Sequence, residues 1–299
     1  KRTQTLEHLR LLTLLTYADI SAVNPTAMTP WRLEQLWRVY SLGQEQLTRE
    51  LETDRIHGVD SLPPQERTPE LLRFVEGLPT RYLRTHTAEE IREHVSLRQR
   101  AMDQGAAVAI SAKRDSYLAT VIAQDKPGLF ASICGALASF SLNIVKAEAS
   151  TNTAGLAVDQ FRFADPLRSL ELNPVEIDRV RRTIERVVLG TEDVKLLLKR
   201  RRVGQRLSRG ARILPLVRFN NEASDTSTLM DFVGEDRPGL LYDLASAFSS
   251  AGCNIELVLI DTEAHKALDV FYVTRNRGKL DEQTQENLRH TLIHLAAQS

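Results

Sequence analysis

The chain has 299 residues, which is longer than one typical hydrophobic core and predicts two or three domains. Its 39 basic and 39 acidic residues give a formal net charge of zero, so no overall field attracts nucleic acid or an anionic membrane. Two cysteines, Cys134 and Cys253, exclude a disulfide framework and favour a reducing compartment. The most apolar early segment, residues 9–17, is too short to span a bilayer and has no signal-peptide cleavage pattern. We therefore expect a cytoplasmic protein with no membrane and no nucleic-acid partner, and the missing initial Met suggests that further residues precede Lys1.

The first part of the chain, residues 1–104, is predicted to be a helical segment. Apolar residues at helical spacing form one stripe along residues 9–17 and a second along residues 31–40, with Thr29 as an N-cap. Residues 58–68 contain Gly58, Pro63 and Pro64 among charged residues and are typical of a linker. A further helical piece is predicted from residue 68 towards residue 102, with Thr87 capping at Glu90.

Beyond Gly105 the apolar period changes to two, and one motif occurs twice. Residues 125–129, Asp-Lys-Pro-Gly-Leu, return 111 positions later as Asp-Arg-Pro-Gly-Leu at residues 236–240. Each motif is predicted to follow a hairpin of two strands and to open a helix, after which two strands and a closing helix follow. The pattern predicts an α+β protein with two ferredoxin-like βαββα units, each preceded by an extra hairpin strand that takes the sheet edge. The first unit spans residues 105–200 and the second spans residues 201–299.

The repeated motif has the chemistry of a site for a small zwitterion. Proline needs no donor at a helix start, glycine removes a Cβ from the approach to the first helical amides, and those amides favour a carboxylate. The Asp can accept a hydrogen bond from an ammonium or amide group, although an N-cap role is the alternative. An Asn at the start of the strand after each helix would form the opposite wall, and a simple turn role explains it equally well. The candidate ligand-binding residues are Asp125, Pro127, Gly128 and Asn143 from the first unit, and Asp236, Pro238, Gly239 and Asn254 from the second.

Other candidate sites are weaker. The basic run of Lys199 to Arg202, with Arg206, Arg209 and Arg212, is better explained as a solvated linker than as a nucleic-acid surface, because no aromatic residues interleave. His290 and His294 stand four apart, without a third metal ligand near them in sequence. The phosphate-binding and hydrolase motifs G-x-x-x-x-G-K-[ST], G-x-G-x-x-G and G-x-S-x-G are absent from the sequence.

The Asp-Arg-Pro-Gly-Leu signature and its surroundings resemble ACT domains, which are small ligand-binding modules that regulate amino-acid metabolism. Residues 217–225, 234–242 and 267–273 more narrowly resemble the C-terminal end of the bifunctional PII uridylyltransferase/uridylyl-removing enzymes. Residues 78–83 and 15–20 fit the same family, so that the resemblance spans almost the whole chain.

The resemblance implies a regulatory role. In that family a nucleotidyltransferase domain uridylylates the PII signalling protein, an HD domain removes the UMP, and tandem ACT domains sense glutamine. For this chain, the resemblance implies glutamine as the ligand and PII as a partner through the parent enzyme. It also implies that the parent enzyme requires Mg²⁺ or another divalent metal. This chain has no Asp-x-Asp pair and no His-Asp dipeptide, so we expect no cofactor and no catalytic residue in it.

Asp19 is the one candidate metal ligand, because its place in Ala18-Asp19-Ile20 resembles that of the last metal-binding Asp of HD domains. Its companions would have to lie before Lys1, and a hydrogen-bonded structural Asp is the alternative. Two other functions therefore remain open: a stand-alone ACT-type amino-acid-binding module that acts through a protein partner, and a hydrolase that binds metal at Asp19.

Overall fold

The computed structural model describes residues 6–23, 28–29, 32–33, 35–37, 39–40, 56, 68–79, 82–83, 86–202, 213–224, 226–263 and 266–297. The predicted linker at residues 58–68 lies outside this set except for Thr68, and so do Arg206, Arg209 and Arg212.

The described elements follow the predicted order of a helical segment and two repeated units. The N-terminal segment contains helices α1 (Leu6–Val23), α2 (Pro69–Val75) and α3 (Ala88–Gln104). The first unit contains β1 (Ala106–Lys113), β2 (Ser116–Gln124), α4 (Leu129–Ser139), β3 (Asn143–Glu148), β4 (Leu156–Ala164), α5 (Ser169–Leu172), α6 (Val175–Leu189) and α7 (Val194–Arg202). The second contains β5 (Leu216–Asn220), β6 (Thr228–Glu235), α8 (Leu240–Ser250), β7 (Cys253–Glu263), β8 (Lys266–Arg275) and α9 (Glu282–Ala297).

The strands of both units form one antiparallel sheet of eight strands in the order β1-β2-β4-β3-β7-β8-β6-β5. The units join where β3 pairs with β7, with Ala147 opposite Val258 at the centre of the contact. The hairpin strands β1 and β5 occupy the two outer edges, as the sequence pattern predicts. The predicted fold class, α+β with two βαββα units and leading hairpin strands, is confirmed.

One face of the sheet packs against the helices of the two units. The fully buried Phe161 and Phe271, at the same place in the two units, belong to the main apolar core on this face. The opposite face of the first unit is also covered, because α3 packs on β1 and β2 and Phe74 of α2 shares a second core with Ile122 of β2. The helical segment is thus part of the folded structure around the first unit.

The helix starts predicted in the N-terminal segment are confirmed by their capping contacts. The Thr87 hydroxyl accepts from the backbone N–H of Glu90, and the Glu90 carboxylate accepts in return from the N–H of Thr87. The Thr29 hydroxyl likewise accepts from the N–H of Arg32 at 3.2 Å. Each cap satisfies helix-terminal amides that have no partner inside the helix.

The apolar stripe predicted along α1 is only partly buried. Leu9 is buried, whereas Leu12 and Leu15 are 51% and 61% exposed among the residues that the structure describes. None of the helices among the described residues has the length and hydropathy required to cross a membrane.

Two local predictions are wrong. The basic run is solvated at Lys199 and Arg200 as predicted, but it is not a linker at its start, because Lys199 to Arg202 end helix α7, whose Val194 and Leu198 are buried. The alternating apolar residues predict a strand over residues 216–223, but strand β5 ends at Asn220, because the Asn220 side chain accepts from the N–H of Glu222 and turns the chain.

Candidate ligand site between the two units

A cavity of about 790 Å³ lies where the first motif meets the second unit, within the range of small-molecule sites. Its walls come from three parts of the chain. The first unit contributes residues 125–131, 149–153 and Asp159; the second contributes Thr226, Ser227, Ala245, Ser249, residues 252–257, Thr274 and Arg277; the helical segment contributes Gly77 and Pro79.

The first motif forms one wall of this cavity. Asp125 follows the end of β2, and its Oδ2 accepts from the hydroxyl of Thr151 at 2.9 Å. The Asp125 carboxylate is therefore held at the cavity by a side chain of the loop between β3 and β4. Asp125 does not cap the helix, because the N-cap of α4 is Gly128.

Gly128 has the left-handed backbone conformation at φ +80°, which ordinary side chains rarely adopt. The helix begins at Leu129, so Pro127 precedes the N-cap and does not occupy the first helical position as expected. A Cβ built on Gly128 would meet no atom closer than the Ser249 hydroxyl, at 4.0 Å. The absent side chain therefore leaves the first turn of α4 open to the cavity.

The facing wall belongs to the second unit. Asn254 is exposed near the start of β7, opposite Thr274 of β8. Close to it, the Thr274 hydroxyl donates to Oε1 of Glu256 at 3.1 Å. The Asn of one unit thus faces the same cavity as the Asp-x-Pro-Gly loop of the other unit.

A buried carboxyl group completes the polar lining. Asp159 of β4 is 3% exposed, and its side chain lies on the same face of the strand as the core residue Phe161. Burial, then the charge of Asp125, raise the pKa of Asp159 to about 8, while a hydrogen bond from the backbone N–H of Ser150 opposes that rise. Near neutral pH this group is largely a neutral acid.

The third wall is fixed to the first unit by direct hydrogen bonds. The N–H of Thr153 donates to the carbonyl of Glu76 at 2.9 Å, and the Asn152 side chain donates to the carbonyl of Phe74 at 3.0 Å. Gly77 and Pro79 consequently line the cavity beside the loop that carries Thr151. A molecule that filled the cavity would touch both units and the segment that leads upstream.

The second motif has the same backbone but different surroundings. Gly239 caps α8 at φ +83°, yet Asp236, Pro238, Gly239 and Asn143 do not line the cavity. A Cβ on Gly135 of α4 would lie 2.2 Å from Val194 and 3.0 Å from the ring of Tyr242, so both side chains press directly on α4. Tyr242 stands 111 positions after Ala131, which lines the cavity at the first motif.

Arg237 of the second motif is also folded onto the protein. Its guanidinium lies 2.6 Å from the carboxylate of Asp243 and donates to the carbonyl of Leu295. At the first motif, Lys126 donates to the carbonyl of Val188 at the end of α6. Of the eight candidate residues, the structure brings Asp125, Pro127, Gly128 and Asn254 together at one cavity and leaves the other four apart from it.

Asp19 is exposed on α1. Among the residues that the structure describes, no group of three or more His, Cys, Asp or Glu side chains is placed to hold a metal ion.

Three features of the cavity were not predicted: Asp159, Thr151, and the contribution of Gly77 and Pro79. A signal for Asp159 exists in the sequence, since a carboxylate at an inward position of a buried strand recurs as Asp269 in the second unit. No local pattern indicates the contribution of residues 77 and 79, because it depends on tertiary packing.

The fold and the site define an α+β protein in which two repeated units share one sheet and enclose a candidate ligand cavity. No family model matches the chain. Over 97% of its length it is 33% identical to the bifunctional uridylyltransferase/uridylyl-removing enzyme of Gluconobacter oxydans (strain 621H), and it covers 32% of that relative.

Two further relatives with the same description give the same result. The chain is 32% identical to that of Nitrobacter hamburgensis, with 98% of the chain and 33% of the relative covered. The chain is 30% identical to the enzyme of Rhodospirillum rubrum, with 90% of the chain and 30% of the relative covered. The chain is thus a homologue of these enzymes along nearly its whole length and corresponds to about a third of theirs, which confirms the predicted resemblance to their C-terminal part.

Among solved structures, an aspartate kinase from Synechocystis matches 62% of this chain and 28% of its own. The sequence identity is 15% and the TM-score is 0.35.

Proposed function

We propose that this chain is the glutamine-sensing regulatory part of a cytoplasmic bifunctional PII uridylyltransferase/uridylyl-removing enzyme. The observation that carries the proposal is the position of the cavity, which both repeated units and the upstream helical segment line together. The homology to enzymes of that description supports the choice of parent. The parent would supply the nucleotidyltransferase and HD sites, the divalent metal they require and the contact with PII.

The chemistry of the cavity supports an amino-acid ligand. The open first turn of α4 favours an anionic group such as an α-carboxylate. The Asp125 carboxylate can accept from an ammonium group, and Asn254 can exchange hydrogen bonds with a side-chain amide. These groups stand on different units, so a ligand that contacts all of them would favour one arrangement of the two units.

Glutamine could act as a switch through the third wall of the cavity. An effector changes an equilibrium only by binding two arrangements of the protein with different affinity. Gly77 and Pro79 belong to the segment that precedes both units, and hydrogen bonds at Asn152 and Thr153 fix this segment to the cavity loop. A change in that loop on ligand binding would move the segment leading to the parent's catalytic domains.

Isothermal titration calorimetry of the 299-residue chain with glutamine tests the proposal, with Asn254→Ala and Asn143→Ala as a matched pair. Both side chains are exposed at repeat-related positions, but only Asn254 lines the cavity. We expect one glutamine per chain, and about tenfold weaker binding in Asn254→Ala for one lost hydrogen bond. Asn143→Ala should bind as the unaltered chain does. Equal losses in the two variants, or no binding of glutamine at all, would contradict the proposal.

A further inference from the structure

We propose that Asp159 is a specificity-determining residue of the cavity between the units: its carboxylate pairs with the primary ammonium group of the bound amino acid, and its proton leaves to solvent when the pair forms. The inference rests on the proposed function, because it concerns the same cavity and names the group of the ligand that is recognised there.

The first observation is the position of Asp159. Its side chain is 3% exposed, belongs to a strand face that is otherwise apolar, and lines the cavity. An ionised carboxylate in such a place is unfavourable unless an opposite charge or several hydrogen bonds accompany it. The backbone N–H of Ser150 supplies one hydrogen bond, and no side chain among the described residues forms an ion pair with Asp159.

The second observation is the set of charged and titratable groups around it. The charge of Asp125, which follows the end of β2, raises the pKa of Asp159. The pKa of the buried Cys134 on α4 is raised first by burial and then by the charge of Asp159. Lys126 lines the cavity, but its ammonium group donates to the carbonyl of Val188. The remaining titratable groups at the cavity walls are Cys253, Glu256 and Arg277.

A buried carboxyl group beside a second carboxylate does not readily ionise without a compensating cation, and Asp159 is buried next to the exposed Asp125. A ligand with an ammonium group supplies that cation, and the neutral Asp159 then loses its proton. The balance is one Asp159 carboxylic acid and one ammonium ligand going to a carboxylate–ammonium pair and one proton in solvent. With a pKa of about 8, Asp159 carries its proton in about nine-tenths of free molecules at pH 7.

Calorimetric titration with glutamine in buffers of different ionisation enthalpy counts the protons released on binding. At pH 7 we expect about 0.9 proton per glutamine, and an affinity that rises nearly tenfold from pH 6 to pH 7 because less of the protein must lose its proton. Asp159→Asn keeps the shape of the side chain but has no proton to release, so the release should disappear and glutamine should bind at least tenfold more weakly.

Asp269→Asn is the matched control. Asp269 is also 3% exposed and recurs at the corresponding position of β8, but it does not line the cavity, so its variant should retain both affinity and proton release. Glutaramic acid, which is glutamine without the α-amino group, should bind the unaltered chain weakly, release no proton and be insensitive to Asp159→Asn.

The possible results separate the two proposals. If glutamine binds the unaltered chain without proton release, or Asp159→Asn binds it as tightly as before, the inference about Asp159 is wrong and the sensing function stands. If glutamine does not bind the unaltered chain at any pH, the proposed function itself fails. If Asp159→Asn does not fold, as judged by circular dichroism, the proton count on the unaltered chain decides the matter.

Discussion

At the scale of single residues, the conformation of Gly128 connects backbone geometry with access to the cavity. Its φ of +80° is strained for any side chain, and a Cβ there would project into open space in front of α4. Gly190, at the end of α6, has φ +76° with no atom within 4 Å of a Cβ, and it lies outside the cavity. The two glycines therefore differ in their relation to the cavity while sharing a conformation.

We expect Gly128→Val and Gly190→Val to lose similar stability, about 1–2 kcal/mol, because each forces a branched side chain into the left-handed region. Only Gly128→Val should lose glutamine binding, since its side chain would fill the approach to the α4 amides. Urea unfolding measures the first effect and calorimetry the second. Unchanged glutamine affinity in Gly128→Val would show that the ligand does not approach this helix start.

The sequence predicts the polar residues of the first motif but not the whole site. Asp125, Gly128 and Asn254 follow from a repeated motif and its spacing, because the residues that open a helix or a strand are visible locally. Asp159 was missed because a carboxylate in an apolar strand, although it recurs as Asp269 in the second unit, does not show that a cavity lies beside it. Whether such a residue faces a ligand depends on the other unit and on residues 77 and 79, which packing alone brings near.

At the scale of elements, a buried aromatic cluster fixes α3 to the first unit. The hydroxyl of Tyr82 lies 2.5 Å from Nδ1 of His94 on α3, and His86 stacks on the ring of Tyr82 and contacts Gln160 of β4. Burial, then the charge of His86, lower the pKa of His94 to about 4, while burial and the charge of Glu90 raise that of Tyr82. Both groups are therefore neutral at physiological pH.

The lowered pKa of His94 makes the attachment of α3 sensitive to acid. The unfolded chain takes up a proton on this residue near pH 6.5 and the folded chain only near pH 4, so stability is complete above pH 6.5 and falls as the pH drops through that window. Between pH 7.5 and pH 5, the protonation of His94 in the unfolded chain should lower the free energy of unfolding by about 2 kcal/mol. Urea unfolding of His94→Gln should show a pH dependence of the unfolding free energy that is smaller by that amount. An unchanged slope in His94→Gln would contradict the assignment.

The order and type of most elements could be predicted because their apolar residues repeat with period two in strands and near 3.6 in helices. Helix α7 was missed because its charged end, Lys199 to Arg202, was interpreted as a linker, although Val194 and Leu198 stand at helical spacing and are buried. Charge on one side of a short segment does not show whether another helix covers its apolar side.

At the scale of the whole molecule, the pairing of β3 with β7 turns two repeats into one sheet and decides which motif meets a cavity. The sequence could not show this, since it leaves open whether a ligand binds within one unit or between two. The repeats are also not equivalent in their surroundings. Tyr242 and Val194 press on α4 near the second motif, whereas the smaller Ala131 lines the cavity beside the first.

The most direct measurement is a crystal structure of the chain grown with saturating glutamine. The account predicts one glutamine per chain in the cavity between the units, with its carboxylate at the start of α4, its ammonium group at Asp159 and Asp125, and its amide near Asn254. Glutamine bound at the second motif, or a cavity without glutamine at saturating concentration, would contradict it.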